Sequence, residues 1–297
     1  MYHNPVMLEK CIEGLNIKPD GVYVDVTFGG GGHSRAILER LTTGHLYAFD
    51  QDEDAAENAF DDERFTFIPQ NFKYCKNFVQ LYHGGKVDGI IADLGVSSHQ
   101  FDTPEKGFST RFDGPLDMRM SQMTPNDAAT VVNTYDHAAL TRILRLYGEM
   151  QQPQLIASDI IMARDAEPIE TTEQLKAAVQ HRLPRGKENK VLAQLFQALR
   201  IEVNQELDAL CDLLSQCPDM LVSGGRLVVM SYHSLEDRLV KNFMKTGNAE
   251  GKEEKEFYGN LLTPYNIITR KPIVPTDEET ENNSRARSAK LRIAERK

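Results

Sequence analysis

Little in this 297-residue chain would let it hold zinc, cross a membrane or coat nucleic acid. Its four cysteines, Cys11, Cys75, Cys211 and Cys217, never fall in C-x-x-C spacing. That sets a metal site aside and reads as reduced, mostly buried thiols of a cytoplasmic protein. No apolar run approaches the roughly 18 residues of a membrane-spanning helix. The first ten residues lack a basic start followed by an apolar core, so no secretory signal is expected. Lysine and arginine total 34 against 44 acids, a net charge of −10. That argues against coating nucleic acid by bulk attraction, though not against RNA as such. The composition, 40% hydrophobic and 26% charged, is that of a globular protein with material for one large domain or two.

What charge there is lies unevenly. Residues 50–63 hold eight acids and no lysine or arginine. Arg182, Arg185, Lys187 and Lys190 form one basic cluster, and Arg285, Arg287, Lys290, Arg292, Arg296 and Lys297 form another. Each reads either as a solvated face or as a place for phosphates.

Residues 22–27, 45–50, 65–69, 87–93 and 225–231 read as strands, rich in Ile and Val and bounded by Gly and Asp. That is the pattern of strands buried in a parallel sheet. Helical stretches at 34–41 and 53–60 separate the first three. The alternation predicts an α/β, doubly wound sheet with ligands at the carboxyl ends of its strands. Shorter strand candidates are 266–270 and 290–294.

The spacing breaks after Asp93, because the next good strand starts near Gly225. An ordinary crossover needs one helix and a few loop residues, so a helical insertion is expected. Its start signals are Thr124-Pro125, Asp136 ahead of 138–147, and the capping-box pattern Thr171-x-x-Gln174. Residues 188–216 read as one long helix. Leu192, Leu195, Phe196, Leu199 and Val203 form its apolar stripe, with Gln197, Arg200 and Asn204 beside it as a solvated or RNA-facing stripe. The expected boundaries are 1–107 with 208–297 for a discontinuous sheet domain, and 108–207 for the insertion.

The most informative stretch is Asp25-Val26-Thr27-Phe28-Gly29-Gly30-Gly31-Gly32-His33-Ser34, with Asp50 about 20 residues on. Glycines after a strand let the backbone turn tightly near a ligand. An acid at that distance is placed for ribose hydroxyls. The pattern points to an adenosine-containing cofactor, either NAD or S-adenosylmethionine (SAM). NAD needs a helix N-terminus for its pyrophosphate, whereas SAM carries no phosphate.

Asp93, in Asp93-Leu94-Gly95-Val96-Ser97-Ser98, is a strand-end carboxylate facing cofactor and substrate, or a plain strand cap. Gly114 to Met120 alternates, so an extended backbone puts Asp117 and Arg119 on one face. That pair is either a structural ion pair or a carboxylate and guanidinium offered to a base or phosphate. In Ser231 to Arg238, Ser234 and Asp237 suit a helix start. His233 is left as a proton acceptor, an orienting donor or a structural histidine. Cys217, beside Pro218, reads as a loop residue. No thiol falls at a strand end, which argues against the nucleophilic chemistry of a cytosine C5 methylase.

Six motifs in order, F-G-G-G-G-H-S, D-L-G-V-S-S, G-F-S, D-G-P-L-D-M-R-M, S-Y-H-S-L-E-D-R and N-S-R-A-R-S-A-K-L-R-I-A-E-R, resemble the ribosomal RNA small-subunit methyltransferase H family, also called MraW. The likeness spans nearly the whole chain and is loose only over 150–190. It implies a Rossmann-like class I SAM-dependent methyltransferase sheet with an inserted all-helical substrate-recognition domain. It also implies N4-methylation of a cytidine in the decoding region of 16S rRNA, free or in the 30S subunit, with no membrane partner. A homodimer is compatible with it. The cofactor positions implied are Gly31, Gly32, His33, Asp50, Phe72, Asp93 and Gln100, with Asp50 on the ribose and Phe72 against the adenine. The candidate catalytic residues are Asp93, Asp117 and His233. Tyr232 departs from the family, which usually has Phe there. The rivals are a nicotinamide oxidoreductase, a methyltransferase for DNA or protein, and a non-catalytic RNA-binding module.

Overall fold

The structure, a computed structural model, describes residues 5–255 and 262–297. Its strands are β1 (Val22–Asp25), β2 (His45–Phe49), β3 (Phe65–Ile68), β4 (Val87–Asp93), β5 (Leu221–Ser231), β6 (Tyr265–Ile267) and β7 (Lys290–Arg296). They form one sheet in the order β3-β2-β1-β4-β5-β7-β6. The first five run parallel, and β7 lies antiparallel between β5 and β6. The expected α/β sheet is thus present, with a mixed edge that strand spacing alone did not show.

The apolar runs have two faces to cover. Ile90, Leu227 and Val229 enter one buried cluster, while Ile91, Val228 and Met230 enter another. Alternation along a strand sends neighbouring side chains to opposite faces, so both faces of the sheet are dry. The first cluster is closed by Val79, Leu213, Cys217 and Phe243, the second by Cys11, Leu15 and Ile37. Each fully buried branched side chain contributes about 1.5–3 kcal/mol.

The chain divides into two compact units, Met1–Gly95 with Leu207–Lys297, and Val96–Glu206. The sequence boundary at 107/108 is therefore displaced to 95/96. Val96 packs on the core of the second unit, and Met118 N–H donates to Lys106 C=O. The second unit is built from the helices Ala128–Thr134, His137–Leu146, Pro153–Ala166, Thr172–Val179 and Glu188–Asn204 around Leu140, Ile143, Ile160, Leu175 and Leu199. Asp136 and Thr171 cap as expected, the latter in a full capping box with Gln174. Thr124-Pro125 starts no helix; Asp127 caps Ala128–Thr134 instead.

The expected single helix over 188–216 is two, Glu188–Asn204 and Glu206–Met220, broken at Gln205 in the left-handed region (φ 50°). The cause is tertiary. Asn204 Nδ2 donates to Met118 C=O, and its Oδ1 accepts from Met120 N–H, each at 2.8 Å. Nor does the polar stripe face outward for RNA. Gln197 donates to Tyr147 C=O, and Arg200 forms a two-pronged pair with Glu206.

The basic tail is also structural in large part. Arg292 on β7 grips Asp237 with Nε at 2.7 Å and Nη2 at 3.2 Å, and both side chains are largely buried. Arg296 donates to the carbonyls of Pro218 and Pro264. Arg292→Ala leaves Asp237 with Lys290 as its remaining cation. It is expected to cost about 3 kcal/mol and to lower the Tm by several degrees, whereas exposed Arg287→Ala leaves it unchanged. Thermal melts of the two variants check this.

Candidate functional site

Three carboxylates end three neighbouring strands. Asp25 is the last residue of β1, Asp50 follows β2, and Asp93 ends β4. The chain proceeds from β1 outward to β2 and β3, then returns to β4 on the other side of β1. That reversal is the switch point at which doubly wound sheets bind ligands.

Asp25 organises the glycine loop from below. It is almost fully buried; Oδ1 accepts from Thr27 N–H (3.0 Å) and Oδ2 from Ser34 O–H (2.7 Å). Burial raises its carboxyl, and His33 and these hydrogen bonds oppose the rise. Thr27 Oγ1 in turn accepts from Asp93 N–H at 2.6 Å. One buried carboxylate thus joins β1, the loop, the helix Gly32–Leu38 and the end of β4. Sequence reading missed this role, although Asp25 stands at the strand–loop junction where such a tie is needed.

The loop is glycine-rich for two reasons. Gly29 and Gly31 adopt φ 51° and 75°, a region costly for residues with a Cβ. A Cβ on Gly31 would lie 2.9 Å from Phe60 Cζ, and one on Gly32 would run into Pro5. Asp50 is tied to the same loop. Its Oδ2 accepts from Gly29 N–H at 2.7 Å and its Oδ1 from Asp52 N–H at 2.8 Å. Each oxygen keeps a second lone pair for a hydroxyl donor. Burial pushes this carboxyl up to about 6 despite both hydrogen bonds.

Asp93 Oδ1 accepts from Tyr232 O–H at 2.7 Å, and Oδ2 lies 3.9 Å from His33 Nδ1. Burial pushes it up to about 6 as well, with His33 and the tyrosine hydroxyl pulling down and Asp25 and Glu236 pushing up. His33 is itself buried. Phe72 opens the single turn Phe72–Tyr74 after β3, partly buried on the core.

The structure therefore brings Gly31, Gly32, His33, Asp50 and Asp93 together in the first unit. Gln100 and Asp117 belong to the second. Gln100 is buried in the capping box of the helix Ser98–Asp102, its Oε1 accepting from Ser97 N–H. Residues 114–120 do not form the expected strand, because Met118 turns left-handed (φ 60°). Leu116, Met118 and Met120 are nonetheless buried, and Asp117 binds Arg119 through both oxygens at 2.8 and 2.7 Å.

His233 turns out to be a helix cap. Its Nδ1 accepts from Glu236 N–H at 3.5 Å, and Glu236 Oε2 accepts from His233 N–H at 3.3 Å, closing a capping box on the helix Ser234–Thr246. That is the task sequence analysis gave to Ser234 and Asp237, the latter being committed to Arg292. Cys217 is likewise not in a loop. It is fully buried within Glu206–Met220, and burial pushes its thiol up to about 12, which suits packing and not nucleophilic attack.

The electrostatics of this corner discriminate between cofactors. Asp25, Asp50 and Asp93 converge on it, and Glu236 also faces Asp93. A pyrophosphate would meet like charge there, whereas a sulfonium cation would be stabilised.

Residues 1–297 match the MraW methylase family along their whole length. The chain is 58% identical to Ribosomal RNA small subunit methyltransferase H of Flavobacterium johnsoniae, over 99% of this chain and 98% of that protein. To the protein of the same name from Parabacteroides distasonis it is 56% identical, over 99% and 97%. To that from Cytophaga hutchinsonii it is 55% identical, over the full length of both.

Proposed function

The chain belongs to the MraW methylase family, and we propose that it transfers a methyl group from SAM to the N4 amine of a cytidine in the decoding region of 16S rRNA. The observation that carries the cofactor half is the carboxylate-lined switch point, where Asp25, Asp50 and Asp93 end neighbouring strands. Small-subunit rRNA as acceptor is supported by the shared name of the relatives, and the N4 amine by the chemistry available at Asp93.

SAM supplies an electrophilic methyl group on a sulfonium. In this assignment Asp50 accepts the ribose hydroxyls, Phe72 lies against the adenine, and Gly31, Gly32 and His33 border the rest. Asp93 and Gln100 complete the set carried over from the family. The cytosine amine is a poor nucleophile because its lone pair is delocalised into the ring. A carboxylate accepting a hydrogen bond from that amine localises the lone pair and takes up developing charge. Asp93 offers Oδ2 for this, with His33 Nδ1 3.9 Å away. Asp117 spends Oδ1 on the Arg119 backbone N–H and Nε and Oδ2 on its Nη2, all within its own loop, and the Nδ1 of His233 caps the helix Ser234–Thr246. Asp93 is therefore the acceptor, with His233 shaping the strand end and Asp117 ordering its own loop. Holding amine and methyl in line supplies much of the remaining rate.

The base must leave any stack to reach the strand ends, which suits a single-stranded or splayed rRNA segment. The helical unit is the substrate-recognition part in this proposal. Arg185, Lys187 and Lys190, exposed around Gly186, are its phosphate contacts, while Arg182 is held by buried Asp159. The enzyme acts in the cytoplasm; among the described residues no helix is long and apolar enough to cross a membrane.

Tritiated SAM should label small-subunit rRNA and leave large-subunit rRNA unlabelled. RNA affinity should fall with salt at about 0.7 log units per phosphate contact. Replacing Arg185, Lys187 and Lys190 together by Ala should flatten that slope by roughly 2. An unchanged slope in the triple variant would remove the loop from the RNA surface.

A further inference from the structure

Tyr232 stands out because its hydroxyl is spent on a carboxylate of the site. We propose that Tyr232 is a positioning residue that pins Oδ1 of Asp93, so that Oδ2 alone is presented to the reacting amine. This rests on the assignment of Asp93 as the group that meets the amine.

The geometry is over-determined. Asp93 ends β4 and pairs in register with Met230 of β5, which places Tyr232 one step past the end of the neighbouring strand. Leu94 N–H donates to Met230 C=O at 3.0 Å, fixing the two strand ends together. The tyrosine is held at both extremities. Its backbone N–H donates to Glu236 Oε2 at 2.9 Å, and its hydroxyl donates to Asp93 Oδ1 at 2.7 Å. The ring packs on the apolar cluster that includes Cys11, Ile91 and Met230. A hydroxyl donor to a carboxylate is a strong, directional contact. Burial and the neighbouring carboxylate hold the tyrosine far above its ordinary range, so the hydroxyl stays a donor throughout the working pH range.

The groups facing Asp93 are His33 from Gly32–Leu38, Asp25 from β1, Glu236 from Ser234–Thr246, Tyr232 itself and the Cys11 thiol from Leu8–Leu15. Asp25 and Glu236 oppose ionisation of Asp93, while His33 and the Tyr232 hydroxyl favour it. The sign of a hydroxyl deletion follows. Tyr232→Phe keeps the ring and its packing but removes a stabiliser of the carboxylate. The Asp93 carboxyl then rises above its value of about 6, and the ionised fraction falls on the acid side.

Two readouts separate this from the function on which it rests. Carbon-detected NMR of Asp93, identified by its loss in Asp93→Asn, should show the titration midpoint rising by about one pH unit in Tyr232→Phe. That measurement needs no methyl transfer. In the pH profile of kcat, the acid limb of the variant should lie at higher pH than the parent's and the two rates should converge by about pH 8.5, with KM for SAM unchanged. Incorporating 3-fluorotyrosine at 232, a stronger donor of nearly the same shape, should move both midpoints downward. It serves as the test if Tyr232→Phe does not fold. Coincident midpoints in parent and variant overturn the assignment of Tyr232. Absence of rRNA methylation by the parent would instead overturn the proposed function, with the NMR titration still deciding the role of Tyr232.

Discussion

Asp50→Ala is expected to raise the SAM dissociation constant by at least a hundredfold. Two hydroxyl donors to one carboxylate contribute about 1.5 kcal/mol each at the low end of the range for charged hydrogen bonds, and every 1.4 kcal/mol is a factor of ten. The substitution has a second effect. Asp50 Oδ2 also holds Gly29 N–H, so its loss frees one side of a glycine loop built on left-handed residues. The unliganded protein should lose about 1 kcal/mol of stability as well, because Gly29 N–H loses its acceptor. Calorimetric titration with SAM measures the effect directly. Unchanged affinity would take Asp50 out of the site.

Asp93→Asn is expected to lower kcat about a thousandfold, within the range contributed by a positioned proton acceptor, while SAM affinity changes much less. The size of the loss comes from orientation as well as charge. In the parent protein Tyr232 donates to Oδ1. An asparagine in the same place will turn its amide oxygen to that hydroxyl, which leaves the amide NH₂ where Oδ2 had been. A donor then faces the amine that needs an acceptor. Single-turnover methyl transfer, with SAM affinity measured alongside, separates this from a binding defect. A variant with near-parental kcat would show that proton acceptance lies elsewhere.

Much of the site was legible because its signals are local. A carboxylate closing an apolar run, glycines directly after it and a second acid some 20 residues on are adjacent in sequence, and the structure brings Asp50, Asp93, Gly31, Gly32 and His33 to one end of the sheet. The resemblance carried by six ordered motifs is borne out by the match along residues 1–297. The α/β sheet and a helical stretch between β4 and β5 were readable from strand spacing alone.

What escaped was set by partners distant in the chain. Nothing in the helical pattern of 188–216 marks Gln205 as a break; the cause is Asn204 gripping residues 118 and 120. Composition left the tail arginines open between a solvated face and phosphate contacts. Arg292 and Arg296 are instead used by Asp237, Pro218 and Pro264. His233 stayed open between a proton acceptor, an orienting donor and a structural histidine, because a strand-end histidine and a helix cap share the same local sequence. The contact between Tyr232 and Asp93 joins positions 139 residues apart, beyond the reach of any spacing rule.

The central claim is that the methyl group goes to a cytidine N4. Small ribosomal subunits lacking the modification should be incubated with the protein and tritiated SAM, and the rRNA then digested to nucleosides. Label co-migrating with N4-methylcytidine is the expected result. Label in 5-methylcytidine, or in any nucleoside methylated on carbon or ribose, would contradict the claim and the role given to Asp93.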